Sequence, residues 1–576
     1  MSAATSPSAP AFTREGPGWR YRVESMPVRR LQDFSIAALV VAVGGAVHAV
    51  GLAEAPGRTT GEGVLVGRAW LLDDGGLLAR STDWYDHPPL GWLLLGLWTS
   101  LTSAFERAPT AVGAGRELML VAYVAAAGLL WLLGRRLGLR RWATTIALVV
   151  FGLTPLAVDL HRQVSLDNLA VPWLLAAFAL ASNPRRPLVA YAGSGACLAA
   201  AVLTRESALL FVPLLVWHLR RSSVPSTRRY ALVVSGTLFV LVCLAYLVPV
   251  AASGELAATR EHPGLLDGIG YRLRHLGDGQ PAGLVVMLLP VAALAVGALA
   301  QTAWHRRGST DRPVAPLLMV AAVAATTVVA WWGVEHRLLV PDDGPEPLAQ
   351  AETWVRANLD GSTVRLVVDD VAWVDLVEAG IPVERLTGHT ALALPDDVGR
   401  PQPGEGRWAD HQVVLSTAAL RADAPAGVLR DAVPLAVFGV GDDRVELVRI
   451  GAPPEAVHDE AAAADQGAAL AQNPSVQLTT AARRVLVGGR VDLRLMTTLV
   501  ALGTARPYEV SAFPADRAEV EAGAPRRVAE LRFATPEDAR LAADILRVQQ
   551  PPYRPADVEI TEDVQVVVTY EPAPLA

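Results

Sequence analysis

Long uninterrupted apolar runs dominate the first 335 residues of the chain, and shorter, more varied patterns fill the rest. Charge-free apolar runs occur at 34–53, 118–134, 142–158, 168–184, 187–204, 207–219, 230–254, 279–304 and 313–334. Most are long enough to cross a hydrocarbon layer of about 30 Å at 1.5 Å per residue, with flanking residues snorkelling to the interface. The run 207–219 is short and draws on 204–207 from its flank. A tenth run, 87–105, is long enough to span but opens His87-Pro88-Pro89, and length alone does not decide it.

Beyond residue 335 the periodicity changes. Residues 346–358 have helical spacing and lead into VRLVVDD at 364–370, a continuous apolar strand. DVAWVDLVEAG then reads as a helix and VERLTG as a return to the sheet. VVLSTAAL and LAVFGVGDDRVELVRI continue the alternation, which predicts an α/β domain over 336–452. The Ala/Glu/Asp stretch 453–466 reads as a linker, or as the start of a helix. Residues 467–504 read as helical. YEVSAF, RVAELRF, a helix at 536–549 and VEITEDVQVVVTY then predict a small α+β module over 467–576.

Composition sharpens the division. The 576 residues are 52% apolar and 19% charged, with a mean hydropathy of +0.32. That is too apolar for an ordinary soluble protein and too charged for one lying wholly in a membrane. Residues 1–335 hold 28 Arg against 20 acids, and residues 336–576 hold 22 Arg against 37. All 50 basic residues are Arg, so a Walker loop and a Schiff-base enzyme, each needing Lys, are excluded. The two cysteines, Cys197 and Cys243, rule out a Cys-based zinc site and a disulfide framework. The acidic second half counts against a nucleic-acid partner, since phosphate neutralisation needs a basic face.

Charge placement decides the tenth run. With a cytoplasmic N-terminus and a non-crossing 87–105, the inside segments are 1–33, 135–141, 185–186, 220–229 and 305–312. These hold 18 of the 28 Arg and 4 of the 20 acids. If 87–105 crosses, GRRLGLRR, NPRRP and RRSSVPSTRR all face out, against the positive-inside bias. The expected fold is therefore a polytopic α-helical membrane protein with about nine spans and an outer interfacial helix. Extracytoplasmic α/β and small α+β domains follow it. Residues 1–33 read as a disordered cytoplasmic tail leading to a retained signal-anchor, and the cell (plasma) membrane is the expected location. Span centres carry essentially no ionisable group, which counts against an ion-coupled pump. Outer loops hold Glu62, Asp83, Asp86, Asp159, Asp167 and Glu206, joined by Arg162, Arg205, Arg272 and Arg274, so any chemistry belongs at the outer surface.

Three segments carry a resemblance. The first outer loop (54–117) contains TTGEGVLVGRAWLLDDGGLLARSTDWYDHPPLGW, the second reads LTPLAVDLHRQVSLDNLAVPW, and the third junction is VLTRES. In order and spacing these resemble the GT-C superfamily of membrane glycosyltransferases, in particular the protein O-mannosyltransferase and aminoarabinose-transferase-like branch. WYDHPPLGW followed by RQVSLDN looks like its actinobacterial members. The likeness covers roughly residues 30–335. It implies inverting transfer of a sugar from a polyprenyl-phosphate donor to an extracytoplasmic acceptor: a cell-envelope glycan, lipid or protein. That chemistry asks for a carboxylate to take the acceptor's proton. It also asks for cations on the leaving phosphate, either Arg or a divalent metal such as Mg²⁺ or Mn²⁺. The resemblance offers Glu62, Asp86 and Asp167 for the first role. For the phosphate it offers Arg162, Arg205, Arg272, Arg274 and His87.

One position departs from the pattern. The family's acidic pair usually begins with the Asp that acts as base, and here the pair reads Gly61-Glu62. A degenerate relative that binds a lipid-linked sugar or scaffolds envelope assembly is the alternative this raises. Plainer readings stand beside each site residue. Glu62 is also a solvated loop acid, Asp86 and Asp167 are also helix caps, and Arg162 is also a surface partner of Asp159. Arg205-Glu206 is also a snorkelling pair, and Trp142 and Trp304 read as an interfacial belt. In the outer half, Asp369-Asp370 falls at a strand's carboxyl end, where α/β sheets place ligands, with loop chemistry as the plainer account.

Overall fold

The computed structural model describes residues 27–73, 88–182, 187–223, 225–252, 281–306, 314–333, 346–360, 362–393, 408–425, 427–451, 458–561 and 564–572. Most described residues are helical, and two five-stranded sheets lie after residue 360. The apolar runs become α1 (Pro27–Ala49), α4 (Ala111–Arg136), α5 (Arg141–Leu153), α6 (Pro155–Arg162), α7 (Leu166–Ala181) and α8 (Pro187–Thr204). α9 (Val212–Ser222), α10 (Arg228–Ala252), α11 (Pro281–Arg306) and α12 (Val314–Gly333) complete that set. Two further helices, α2 (Thr60–Asp73) and α3 (Leu90–Thr102), come from the first outer loop.

Five described helices are long and apolar enough to cross a membrane, or six when the bent pair α5–α6 counts as one span. The bend of 59° has a local cause. Pro155 cannot continue α5, whereas it suits the first turn of α6, where Thr154 caps the new helix. The run 207–219 does not form one long helix. A 3-10 turn over Glu206–Phe211 precedes α9, whose N-terminus holds Pro213. α3 has 13 residues, about 20 Å at 1.5 Å per residue, and belongs with the shorter apolar helices rather than with the five long ones. Helix α10 exposes Val233, Val240, Leu241, Leu244 and Leu247, a face that suits lipid and that is left uncovered among the described residues.

The bundle sorts its connections into two ends. At one, Asp33 pairs with Arg135 and Arg141, the Arg140 amide donates to Gln301, and Trp142 meets Trp304 edge-on. Ser182 bonds His218 and Ser222 donates to Ala181 near the same end, where Arg136 reaches the Ala179 carbonyl. At the other, Arg162 reaches the Val50 carbonyl, and Glu62 joins Arg116 and Val164.

The α/β domain starts with α13 (Pro347–Leu359). It continues through β1 (Leu366–Val368), α14 (Asp370–Glu378), β2 (Leu386–Gly388), β3 (Val413–Ser416), β4 (Val433–Phe438) and β5 (Val445–Arg449). The strand order is β2-β1-β3-β5-β4. β1 pairs parallel with β2 and β3, while β5 runs antiparallel to both β3 and β4. The sheet is thus mixed, because the glycine-turned segment Gly439–Gly441 makes β4 and β5 a hairpin.

Residues 460–466 belong to α15 (Glu460–Leu470) rather than to a linker. Asp459 caps it, and Ala463 and Leu470 are buried in the last module. The helical reading of 467–504 is also interrupted. Asn473 turns the chain, and β6 (Val476–Leu478) intervenes before α16 (Thr480–Val487) and α17 (Leu493–Ala505). β7 (Tyr508–Ala512), β8 (Val528–Arg532), α18 (Pro536–Arg547), β9 (Asp557–Ile560) and β10 (Gln565–Thr569) finish a sheet of order β6-β7-β8-β10-β9. Arg527 and the Trp354 indole, both donating to the buried Glu519, tie this module to α13.

The halves share a core. Val66, Ala69 and Trp70 of α2 bury with Val371, Ala372 and Val374 of α14. Trp70 meets Trp373 edge-on, and its indole donates to Glu378. Gly63 permits the contact: a Cβ there would lie 2.3 Å from the Val371 nitrogen. The segment that carries α2 and the α/β domain therefore lie on the same side of the bundle.

Candidate active site

Glu62 opens α2 three residues after Thr59, the spacing of a capping box. The Thr59 amide and hydroxyl donate to Oε2 at 3.1 and 3.2 Å. Arg116 reaches across from α4 and holds both oxygens, Nε to Oε1 and Nη2 to Oε2, each at 2.9 Å. The Val164 amide adds a bond of 2.9 Å to Oε1. A carboxylate offers about four lone-pair sites, and five donors already meet this one. Glu62 is 1% exposed and Arg116 is 0% exposed. Arg116 also donates to the Leu52 and Gly57 carbonyls, so the pair knots the loop before α2 to α4 and to the α6–α7 connection. Glu62 is thus no solvated loop acid, and it has no lone pair aimed at an open site. Gly61 beside it is exposed.

Asp167 lies three residues beyond the Val164 contact, in the first turn of α7. Ser165 caps that helix, accepting from the Asp167 amide at 3.2 Å and donating to Oδ2 at 3.3 Å. Ser207 donates to Oδ1 at 3.5 Å, and the Arg205 Nε lies 3.6 Å from the same oxygen. The carboxylate is nearly buried, whereas the Arg205 side chain keeps 22% of its surface exposed. The helix N-terminus adds a further positive field. Gly283, in the first turn of α11, closes over the acid, and a Cβ there would lie 2.4 Å from Asp167 Oδ2.

Asp86, His87, Arg272 and Arg274 lie outside the described residues, as does Asp83. The described chain on the C-terminal side of the first segment reaches the neighbours of Asp167 and Arg205, and that after the second reaches Asp167 itself. Gly91, the second residue of α3, packs so closely that a Cβ would meet Leu166 at 2.5 Å and Thr204 at 3.1 Å. Gly283 makes the matching approach after the Arg272–Arg274 segment. The neighbours of Asp167 and of Arg205 are therefore touched by the elements that follow WYDHPP and YRLRH. Arg162 is fully buried and donates to the Val50 carbonyl. That places it in the packing behind α1 rather than at an open phosphate site.

Sequence reasoning missed Arg116, Ser207 and Gly283. Arg116 sits in AVGAGRELML, a lone cation entering an apolar run, and its partner lies 54 positions away, so spacing carries no signal. Ser207 is the last residue of VLTRES and follows the two charged residues that drew attention. Gly283 is one glycine among 48.

A second polar cluster lies beyond β1. Asp369 caps α14 through the Val371 amide and accepts from Thr60 of α2 at 3.0 Å and from Thr417. Asp370 accepts from the Thr390 amide and hydroxyl at 3.2 and 2.8 Å. A third, around Arg58, joins the first loop to the α/β domain. Its guanidinium meets Glu346 at 2.9 Å, Glu352 at 3.0 Å and Asp375 at 2.7 Å. Burial pushes Glu352 up to about 8, with Arg58 drawing it back and Asp375 adding repulsion. Burial likewise raises Asp375. No family model matches the chain, and no curated protein matches it.

Proposed function

We propose that this chain is a membrane glycosyltransferase that moves a sugar from a polyprenyl phosphate to an acceptor on the outer side of the plasma membrane. In this reading about nine segments span, the end of the bundle holding Asp167 faces out, and the α/β and α+β domains stand outside above it. The observation that carries it is the convergence at that end. A nearly buried carboxylate, a partly exposed arginine and two glycines that admit close approach lie together, and Gly91, Asp167 and Arg205 among them stand in the three segments where the sequence resembles the GT-C branch.

The roles we assign rest on the donors around each described acid and, for the residues outside the described chain, on the resemblance. Five donors occupy Glu62, so the base is Asp167, with Asp86 as the other acid of the site. Asp167 takes the proton of the acceptor hydroxyl while the new C–O bond forms at the anomeric carbon. The bond to the phosphate oxygen breaks on the opposite face, and the polyprenyl phosphate leaves with the electron pair. Arg205, helped by Arg272, Arg274 and His87, balances that growing charge. Glu62–Arg116 keeps α2, α4 and the α6–α7 connection in register, so the base holds its place.

Gly61 favours a second reading, a relative that binds the lipid-linked sugar without transferring it. Mass spectrometry of the lipid that co-purifies with the chain tests the binding common to both. A polyprenyl phosphate sugar retained by the wild type and depleted in Arg205→Gln supports it, and bulk phospholipid alone would remove it. Rescue of an inert wild type by Gly61→Asp would select the second reading.

A further inference from the structure

The cluster beyond β1 lies at a distinctive place in the sheet. The chain leaves β1 for β2 on one side and returns to β3 on the other, so the crevice past the β1 carboxyl end is a topological switch point. Open α/β sheets take ligands there. Asp369 and Asp370 follow β1, and His389 follows β2. One ligand atom from each of the three lies within 4.8 Å of the others.

His389 supplies the independent observation. Its side chain is 2% exposed, Nδ1 lies 3.1 Å from Asp370 Oδ2, and Nε2 lies 3.4 Å from Asp423 Oδ2. Neither ring nitrogen is aligned for a hydrogen bond. A nitrogen and an oxygen about 3 Å apart that do not point at each other have the spacing of neighbouring ligands on a cation with bonds of about 2.1 Å. Lone pairs remain for the purpose. Asp369 accepts three bonds and Asp370 two, against about four sites on each carboxylate. Gly388 lets Asp370 approach, since a Cβ there would lie 2.3 Å from its Oδ1. Asp423, with 65% of its side chain exposed, stands at the mouth and gives an entry path.

We propose that Asp369, Asp370 and His389 bind a divalent first-row cation such as Mn²⁺, the class that a mixed carboxylate and imidazole set suits. The site is separate from Asp167, and it adjoins the contact between Thr60 and Asp369 that joins the domain to the first outer loop. The competing occupant is a proton on His389, held between Asp370 and Asp423.

The full chain, purified in detergent without a polyhistidine tag, should be titrated with Mn²⁺ and followed by electron paramagnetic resonance. The expected result is saturable binding of one Mn²⁺ with nitrogen modulation from a coordinated imidazole. His389→Gln should abolish the modulation, and Asp370→Asn should weaken binding at least about tenfold. Metal-free thermal midpoints check that both variants fold, and the wild-type modulation decides independently of either. Absence of saturable binding below about 1 mM (a free energy near −4.1 kcal/mol), or bound Mn²⁺ without nitrogen modulation, would overturn the site.

Discussion

At the residue scale, Asp167 and Glu62, whose bond to the Val164 amide falls three positions before Asp167, hold opposite stations. Glu62 is consumed by Arg116, Thr59 and Val164, while Asp167 keeps a partly exposed arginine at 3.6 Å. Glu62→Gln should therefore act on folding. Removing one partner of a buried, fully bonded pair leaves the other charge uncompensated, at a cost of about 3–5 kcal/mol. A large drop in the thermal midpoint in detergent is expected, with a smaller drop when Glu62→Leu and Arg116→Met are combined. An unchanged midpoint in Glu62→Gln would show that the pair holds nothing. Gly283→Ala tests the other acid. Its Cβ would press on Asp167 Oδ2 at 2.4 Å, so transfer should fall at least about tenfold, equivalent to about 1.4 kcal/mol in the barrier. The midpoint should move little, and full activity in Gly283→Ala would place the chemistry elsewhere. The sequence makes Glu62 and Asp167 visible as acids in predicted outer loops. It does not separate their roles, because Arg116 and Gly283 reach them only through packing.

At the scale of elements, α2 is the joint between the halves. Gly63 meets the Asp370–Val371 backbone, which cannot yield as a side chain can. Gly63→Ala should pry α14 from α2, and amide exchange over Val371–Leu376 should then quicken relative to the wild type. An exchange pattern like the wild type's would contradict the joint. Most elements were legible: the apolar runs are helices, and LVV, VVLS and VELVR are strands. The failures have physical causes. Pro155 breaks one run into a bent pair, and Arg205-Glu206 interrupts the run before α9. Asn473 frees β6 to pair with β7. The docking of α2 on α14 was not legible, since apolar faces in separate segments carry no address for each other.

At the scale of the molecule, the halves are also joined by charge. Three carboxylates surround Arg58, and burial holds Glu352 up to about 8. A folded-state value above the ordinary 4.5 means that this acid's contribution is full below about pH 4.5 and is lost as pH rises through about 8. Exchange of the Ala111 amide, which donates to Asp375, should quicken beyond the intrinsic rate between about pH 6 and 9. Glu352→Gln should flatten that profile, and a flat wild-type profile would contradict the raised Glu352. The central claim, transfer from a polyprenyl phosphate sugar with Asp167 as base, is met most directly by single-turnover donor consumption by the purified chain. The account predicts turnover in the wild type and, in Asp167→Asn, unchanged donor affinity with a rate reduced at least about a hundredfold, within the range general-base catalysis supplies. Turnover by Asp167→Asn at the wild-type rate would contradict it.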